Sequence, residues 1–292
     1  MNDNFGRIIN YLRLSVTDRC NLDCSYCKRA ASKTQNLMTL DEIQKITRLF
    51  AEIGIRKIRL TGGEPLTRTD ICEIIYICKN TEGIREVAMT TNGILLSPEK
   101  AKELRNAGLD RVNISIDGLD PGKYKQIARA GSLTAALSGI NASLAAGLAP
   151  IKINTVLMRG VNDGDIERFI ALTDDRDVRV RFIEYMPMGG KAEESYISAE
   201  EVINARPWLK NHDKVEFICS VSQPFCNQCN RVRVTADCKL RLCLGNNLEF
   251  DLREMLLRDN AAELLRNAIA QKPQRGFCDG FVTNRGMGNI GG

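Results

Sequence analysis

The sequence predicts an α/β fold: an open, partial (β/α)6 barrel of the TIM type with a smaller C-terminal extension. Three observations predict it. Strand-like stretches alternate with helical ones six times between residues 11 and 184, and repeated βα units of this length build a parallel sheet through right-handed crossovers. The polar and glycine-rich signatures each fall just after a strand, at the carboxyl edge where α/β barrels bind ligands. Six units are also fewer than the eight of a closed barrel, so this one stays open.

Tyr11 to Thr17 reads as the first strand and empties into Cys20-Asn21-Leu22-Asp23-Cys24-Ser25-Tyr26-Cys27. Thr39 and Glu42 form a capping box for a helix to Glu52, with an apolar stripe of Ile43, Ile46, Leu49 and Phe50; Gly54 ends it. Arg56 to Thr61 is a strand that runs into Gly62-Gly63-Glu64-Pro65. A helix near Thr69 to Lys79 leads to a strand at Glu86 to Thr90 and then Thr91-Asn92-Gly93. Ser97-Pro98 opens a helix to Asn106. The strand Arg111 to Ile116 closes on Asp117-Gly118, and helical stretches follow at Pro121 to Ala130 and Leu133 to Ala146. A strand at Ile151 to Leu157, a helix near Asp163 to Leu172 and a strand at Val178 to Glu184 complete the six units. Residues 1–190 are thus expected to form the barrel and 191–292 a C-terminal region. That region comprises a polar linker (Lys191 to Glu194), a short helix (Ser198 to Ala205), a cysteine-bearing hairpin within Phe225 to Leu244, a helix from Leu252 to Ala270 and a glycine-rich tail.

The chain has 292 residues, 43% hydrophobic and 26% charged, enough for a sizeable core in one or two domains. Forty-one basic and 36 acidic residues leave a charge of +5, which suits an anionic small molecule and does not require nucleic acid. No apolar run approaches ~18 residues, so no transmembrane helix is expected, and the start lacks the pattern of a signal peptide. Of eleven cysteines, six fall in two triplets. That is metal chemistry in a reducing cytoplasm, not a disulfide scaffold. Cys72 and Cys78 sit in an apolar helical pattern and read as core; Cys219 and Cys278 receive no role.

The first triplet, Cys20, Cys24 and Cys27, is spaced C-x3-C-x2-C. Gathered thiolates select soft metals, zinc or iron–sulfur. A structural zinc needs four ligands, whereas this loop has three and the only histidine, His212, is remote. A four-iron cubane on three cysteines leaves one iron open to a small molecule, so a cluster is favoured over zinc. The second triplet, Cys226, Cys229 and Cys243, is spaced C-x2-C-x13-C, with Cys238 as a candidate fourth ligand in a zinc ribbon. Geometry argues against that ribbon. If Ala236, Asp237 and Cys238 form the turn of a hairpin with Cys238 left-handed, Cys243 lies opposite Arg231, about 16 Å along the strand from Cys238. Cys229, Arg231, Arg233 and Cys243 then share one face, three thiolates and two guanidiniums, which suits a cluster beside a polyphosphate.

Longer motifs surround both triplets: Leu14-Ser15-Val16-Thr17-Asp18-Arg19-Cys20-Asn21, Thr61-Gly62-Gly63-Glu64-Pro65-Leu66, Phe182-Ile183-Glu184-Tyr185-Met186-Pro187, Phe225 to Arg233 and the terminal Ile290-Gly291-Gly292. With these the chain resembles the radical S-adenosylmethionine superfamily, and within it the GTP 3′,8-cyclase family of molybdenum cofactor biosynthesis. The resemblance runs from about Gly6 to Met188 and resumes from Ser220 to the C-terminus. It implies two [4Fe-4S] clusters, one on each triplet, with S-adenosyl-L-methionine on the open iron of the first and guanine offered to the second. It implies S-adenosylmethionine contacts at Tyr26, Gly63, Ser115 and Met186, and GTP contacts at Arg13, Arg59, Thr90, Lys152, Arg231 and Arg233. In the family the 5′-deoxyadenosyl radical takes the ribose 3′ hydrogen and the carbon radical attacks C8 of the guanine, a lyase reaction, while the tail (here Gly291 and Gly292) reaches into the site. The implied partners are a reductase or flavodoxin-type electron donor and a downstream cyclic pyranopterin monophosphate synthase, for a monomer or homodimer in the cytoplasm.

The chain departs from the family pattern at Lys28-Arg29, in the short stretch between Met188 and Cys226, and at Cys238, where the family has glycine. Two other readings stand beside it. One is a radical enzyme with an auxiliary cluster that modifies a peptide, which would not need Arg231-x-Arg233 or the glycine-glycine ending, or one that acts on another nucleotide. The other is a non-catalytic protein with zinc at both triplets.

Overall fold

Alternation along each strand decides which side chains reach the helices and which face the interior. The computed structural model describes residues 1–27, 36–186, 193–276, 283 and 285–290. Strands β1 (Tyr11–Ser15), β2 (Lys57–Thr61), β3 (Glu86–Thr91), β4 (Arg111–Ser115), β5 (Ile151–Leu157) and β6 (Val178–Glu184) lie side by side in chain order, all parallel. Helices α1 (Leu40–Glu52), α2 (Ile71–Lys79), α3 (Pro98–Asn106), α4 (Pro121–Ala128), α5 (Leu133–Ala145) and α6 (Ile166–Ala171) separate them in the chain. The capping box of α1 is present: Thr39 Oγ1 accepts from Glu42 N, and Glu42 Oε2 accepts from Thr39 N at 2.8 Å.

Beyond the six expected strands, β7 (Val215–Ile218) adds in parallel to β6 at one edge, and β8 (Arg231–Val234) adds in parallel to β1 at the other. After α7 (Ala199–Ala205) in the chain, the hairpin β8–β9 (Lys239–Arg241) and the antiparallel β10 (Glu249–Asp251) finish the sheet, in the order β10-β9-β8-β1-β2-β3-β4-β5-β6-β7. The sheet does not close. β7 is four half-buried residues and has no local signature; β8 is the first strand of the expected hairpin, and what no local pattern showed is its pairing with a strand over two hundred residues earlier. The expected single helix from Leu252 to Ala270 is two, α8 (Leu252–Leu256) and α9 (Ala261–Ala270). Asp259 and Asn260 stand at the break, and their side chains favour turns over helix interiors. Arg253 on α8 donates to Glu42 of α1 at 2.6 Å, which ties the C-terminal region to the first helix.

Leu12 and Leu14, Ile58 and Leu60, Val87 and Met89, Val112 and Ile114, Ile151 and Ile153, Val178, Val180 and Phe182, and Val232 and Val234 are all buried in one core with Ile43, Ile46, Phe50, Ile74, Leu104 and Phe169 of the helices. Most of the residues between them line the interior, and apart from Ala88 they are polar. Closed barrels fill that space with branched apolar side chains; here Arg13, Arg59, Arg111, Lys152, Arg181 and Arg233 occupy it. An interior this cationic is unfavourable for packing and is explained by a ligand.

Cys238 has φ +66°, the left-handed conformation expected of it, and its side chain is fully buried in the core. Arg233 pairs with Arg241 and Val234 with Leu240, the register expected, and β9 ends at Arg241, two residues before Cys243. A left-handed non-glycine costs about 1–2 kcal/mol, and losing the small buried side chain costs about 1 kcal/mol. Cys238→Gly is therefore expected to shift the melting temperature by only a few degrees and to leave bound iron unchanged; loss of iron would show Cys238 to be a ligand.

No helix among the described residues is long and apolar enough to cross a membrane. The expectations for Lys28, Arg29, Cys278, Gly291, Gly292 and the start of the linker, Lys191 and Ala192, lie outside the described residues.

Candidate active site

The loops at the carboxyl ends of β1, β2 and β3 are stitched into one rim. Gly63 N donates to Thr17 O at 2.8 Å and Glu64 N to Arg19 O at 2.7 Å. A Cβ on Gly62 would lie 2.3 Å from Thr17 O, and one on Gly63 would lie 2.2 Å from Arg19 O, so only glycine lets the two loops meet. Glu64 is buried; its Oε1 accepts from Thr91 Oγ1 at 2.7 Å and Leu66 N at 3.1 Å, and its Oε2 from Asn92 N at 2.7 Å. Burial pushes its carboxyl up to about 7 against those three bonds. Asn92 Nδ2 donates to Asn21 Oδ1 at 2.7 Å, inside the first cysteine loop. Tyr26 Oη, in the same loop, donates to Asp117 Oδ2 at 2.7 Å, and Asp117 Oδ1 accepts from Val156 N at 2.8 Å. The cysteine loop is thus held from the ends of β3, β4 and β5.

One cavity of about 480 Å³ runs from this rim into the sheet. Its lining includes Cys20, Cys24, Cys27, Tyr26, Gly63, Ser115 and Met186 toward the rim, and Arg13, Arg59, Thr90, Lys152, Arg231, Arg233, Cys226, Cys229 and Cys243 elsewhere. Every described residue singled out from the sequence for a ligand, cofactor or substrate contact therefore borders the same space. The register sets the cations in tiers. Arg13 lies opposite Arg59 on one side and Arg233 on the other; one step toward the amino ends, Tyr11 lies opposite Lys57 and Arg231. Arg59 and Arg231 stand 5.6 and 5.7 Å from the Tyr11 ring, and Lys57 stands 5.2 Å from it.

Burial, then the neighbouring Arg233 charge, pushes Arg13 down to about 9. Burial does the same to Arg59, also to about 9 despite the raising influence of Tyr11, and burial with the Arg231 charge takes Arg233 to about 10. A guanidinium does not give up its proton at neutral pH, so burying these like charges together carries a cost that a polyanion would relieve. Tyr11 Oη, Thr90 Oγ1, Asn113 Nδ2, Asn154 Oδ1 and the Nε atoms of Arg59 and Arg231 are buried without a hydrogen-bond partner among the described residues. Buried groups of this kind cost about 1–3 kcal/mol each unless satisfied.

The second cysteine set lies toward the amino end of β8, away from the rim. Cys226–Gln228 is a single 3-10 turn with Cys229 N donating to Cys226 O at 3.2 Å. Residues 272–276 pass over the set. The ammonium of Lys272, buried and lining the cavity, donates to Leu242 O, next to Cys243. A Cβ on Gly276 would lie 2.1 Å from Cys243 Sγ. Burial raises the Cys229 thiol, but Lys272, a bond from Arg231 N and the Arg231 and Arg233 charges outweigh it and leave it below its ordinary value.

These donors suit clusters. Among the described residues no three His, Cys, Asp or Glu side chains converge closely enough to share one metal ion. A cubane offers its ligands separate iron corners and so accepts thiolates set wider apart than one zinc does. The lowered Cys229 thiol, beside Lys272, Arg231 and Arg233, fits a thiolate-bound group at the second set.

Sequence reasoning passed over Lys57, Arg111 and Arg181, which line the same cavity. Glu86 bridges Lys57 and Arg111 at 2.9 and 2.7 Å, and Glu216 on β7 bridges Lys152 and Arg181, both at 2.6 Å. The available signal was strand alternation, which puts Lys57 with Arg59 and Arg111 with Asn113 on the inward face.

Residues 14–173 match the family model described as the Radical SAM superfamily, and residues 204–277 match Molybdenum Cofactor Synthesis C. The chain is 42% identical to a protein of Alkaliphilus oremlandii (strain OhILAs) named GTP 3′,8-cyclase, with 100% of each chain covered. It is 44% identical to one of the same name from Peptoclostridium acidaminophilum, over 99% of this chain and 98% of that one. Among solved structures it is similar in fold to Streptococcus suis SuiB bound to S-adenosylmethionine, with a TM-score of 0.71 and 14% identity over 91% of this chain and 68% of that one. A similar likeness holds to native anSMEcpe with bound AdoMet, with a TM-score of 0.67 and 14% identity over 90% of this chain and 81% of that one.

Proposed function

Since the chain belongs to the radical SAM superfamily and, within it, to the GTP 3′,8-cyclase family, we propose that it converts GTP to (8S)-3′,8-cyclo-7,8-dihydroguanosine 5′-triphosphate, the first step of molybdenum cofactor biosynthesis. It is a radical lyase that uses S-adenosylmethionine and an iron–sulfur cluster. The observation that carries the GTP reading is the inward face of the sheet, where buried, mutually repelling guanidiniums and unpartnered polar atoms line one cavity between two cysteine sets.

Cys20, Cys24 and Cys27 would hold the first cluster, with Tyr26, Gly63, Ser115 and Met186 around S-adenosylmethionine. When bound, that pair supplies one-electron chemistry able to take hydrogen from an unactivated carbon. Cys226, Cys229 and Cys243 would hold a second cluster beside the guanine. Arg13, Arg59, Arg231 and Arg233 bind the triphosphate through forked donors, joined by Lys152 and Thr90. Lys57, Arg111 and Arg181 add positive charge, tempered by Glu86 and Glu216. The rim bonds through Glu64, Asn92 and Asp117 hold the cysteine loop over the substrate and keep water from the reacting carbon. Gly291 and Gly292, outside the described residues, are assigned to the site by the family resemblance alone. Residues 1–190 form the barrel and 191–292 the region that brings the second cluster. A reductase or flavodoxin-type donor feeds the electron, a cyclic pyranopterin monophosphate synthase consumes the product, and GTP with reduced thiols points to the cytoplasm.

The test is anaerobic purification with iron, sulfide and zinc analysis, followed by incubation with S-adenosylmethionine, reductant and either GTP or a peptide. The expected protein is brown, with roughly eight irons from two four-iron cubanes, and consumes GTP. A colourless zinc protein, or one that modifies the peptide and spares GTP, would sink the reading.

A further inference from the structure

Arg7 lies outside the cavity lining and carries no role in the reaction described above, yet its surroundings are the most complete of any charged group near the second cysteine set. It belongs to a tight N-terminal turn closed by the bridge between Asn2 and Ile8. Asp3 Oδ1 accepts from Phe5 N at 3.0 Å and Arg7 N at 2.9 Å, and Asp3 Oδ2 accepts from Arg7 Nε at 2.6 Å. Both side chains are buried, 5% exposed for Arg7 and 0% for Asp3. The far end of the guanidinium points away from this turn. Its Nη1 donates to Cys226 O at 2.9 Å and Gln274 O at 3.1 Å; its Nη2 donates to Pro273 O at 2.9 Å and, at the limit, to Lys272 O at 3.5 Å. A guanidinium has five N–H donors in a fixed fork. All five are engaged, and they join three stretches of chain separated by 219 and 267 residues.

Each stretch bears on the second set. The first carries Arg7 and, through Asn10 and Tyr11, bonds to Asn230 O just after Cys229. The second carries Cys226 itself. The third places Lys272 on Leu242 O and Gly276 against Cys243 Sγ. Three thiolates drawn from a turn and from the far strand of a hairpin face one cluster only if those stretches are held in register. We propose that Arg7 is the positioning residue that assembles the second cluster site, by fixing the Cys226 turn to the strap over Cys243. A buried guanidinium has value here only while every donor is met, and the carbonyls meet it only when turn and strap are both seated. Lysine would bring the charge without the fork.

This inference rests on the second-cluster reading above, and the experiment separates the two. Wild type, Arg7→Gln and Arg7→Lys are reconstituted anaerobically. Iron is counted, each reduced cluster is followed by electron paramagnetic resonance, and the first cluster is identified by its spectral change on adding S-adenosylmethionine. The expected result is that Arg7→Gln falls from roughly eight irons to roughly four. The surviving signal should be the one that responds to S-adenosylmethionine, with Arg7→Lys intermediate. Retention of both clusters in Arg7→Gln overturns the proposal. So does parallel loss of both clusters across the two variants, which marks Arg7 as a general stabiliser. If Arg7→Gln does not fold, a partial, selective loss of the second signal in Arg7→Lys supports the proposal and full retention overturns it. Wild-type protein with only one cluster overturns the second-cluster reading itself.

Discussion

Cys24→Ala is expected to abolish cleavage of S-adenosylmethionine, with 5′-deoxyadenosine falling to the level of a no-enzyme control. Cys24 is the middle member of the first triplet, on a loop held by Ser25 N to Ile127 O at 2.8 Å, Cys27 N to Cys24 O at 3.0 Å and the Tyr26–Asp117 bond. None of these bonds uses the thiol. On the proposed assignment the substitution would remove one ligand while leaving the loop in place, and two thiolates do not retain a cubane that three hold. The fold should survive, since Cys24 is only partly buried. Anaerobic chromatography of 5′-deoxyadenosine and methionine checks the rate, and a melting curve checks the fold. Measurable cleavage in a folded Cys24→Ala protein would refute the assignment of this loop.

The second large effect is expected at the other end of the cavity. Cys243→Ala should lose GTP conversion and about half of the bound iron while S-adenosylmethionine is still consumed without product. The same phenotype should be reached without touching a ligand. Gly276→Ala places a methyl group 2.1 Å from Cys243 Sγ, a separation no pair of unbonded atoms tolerates, so the thiolate or the strap must move. Product analysis alongside iron determination checks both variants. A Cys243→Ala protein that still converts GTP would show that the second set does not carry substrate. Normal iron in Gly276→Ala would show that the strap yields at no cost to the cluster.

Much of this site was legible in the sequence. The first triplet is local: three cysteines in eight residues share a loop whatever the rest of the chain does. Arg13 and Arg59 stood out because a strand that buries Leu12, Leu14, Ile58 and Leu60 on one side has no packing reason for arginine on the other. The hairpin around Cys238 was legible because turn length fixes register; Arg233 opposite Arg241 is the pairing that a left-handed residue 238 demands. Lys57, Arg111 and Arg181 were open to the same alternation argument and were passed over, since each lies at a strand end or beside carboxylates and reads as a surface ion pair. Glu86 and Glu216 do pair them, yet all three cations line the cavity.

What the sequence by itself determined is what depends on near neighbours: the βα alternation, the apolar face of each strand, the capping of α1, the cysteine spacings and the left-handed turn. Only the tertiary structure decided what depends on segments far apart in the chain. It set β8 beside β1, so that Arg233 faces Arg13. It laid residues 272–276 over Cys243 and brought Arg7 to the carbonyl of Cys226, 219 residues away. The physical reason is that local conformation follows from torsional and hydrogen-bonding preferences within a few residues. Non-local pairing is chosen by the burial and polar satisfaction of the whole chain, and no window of sequence contains that sum.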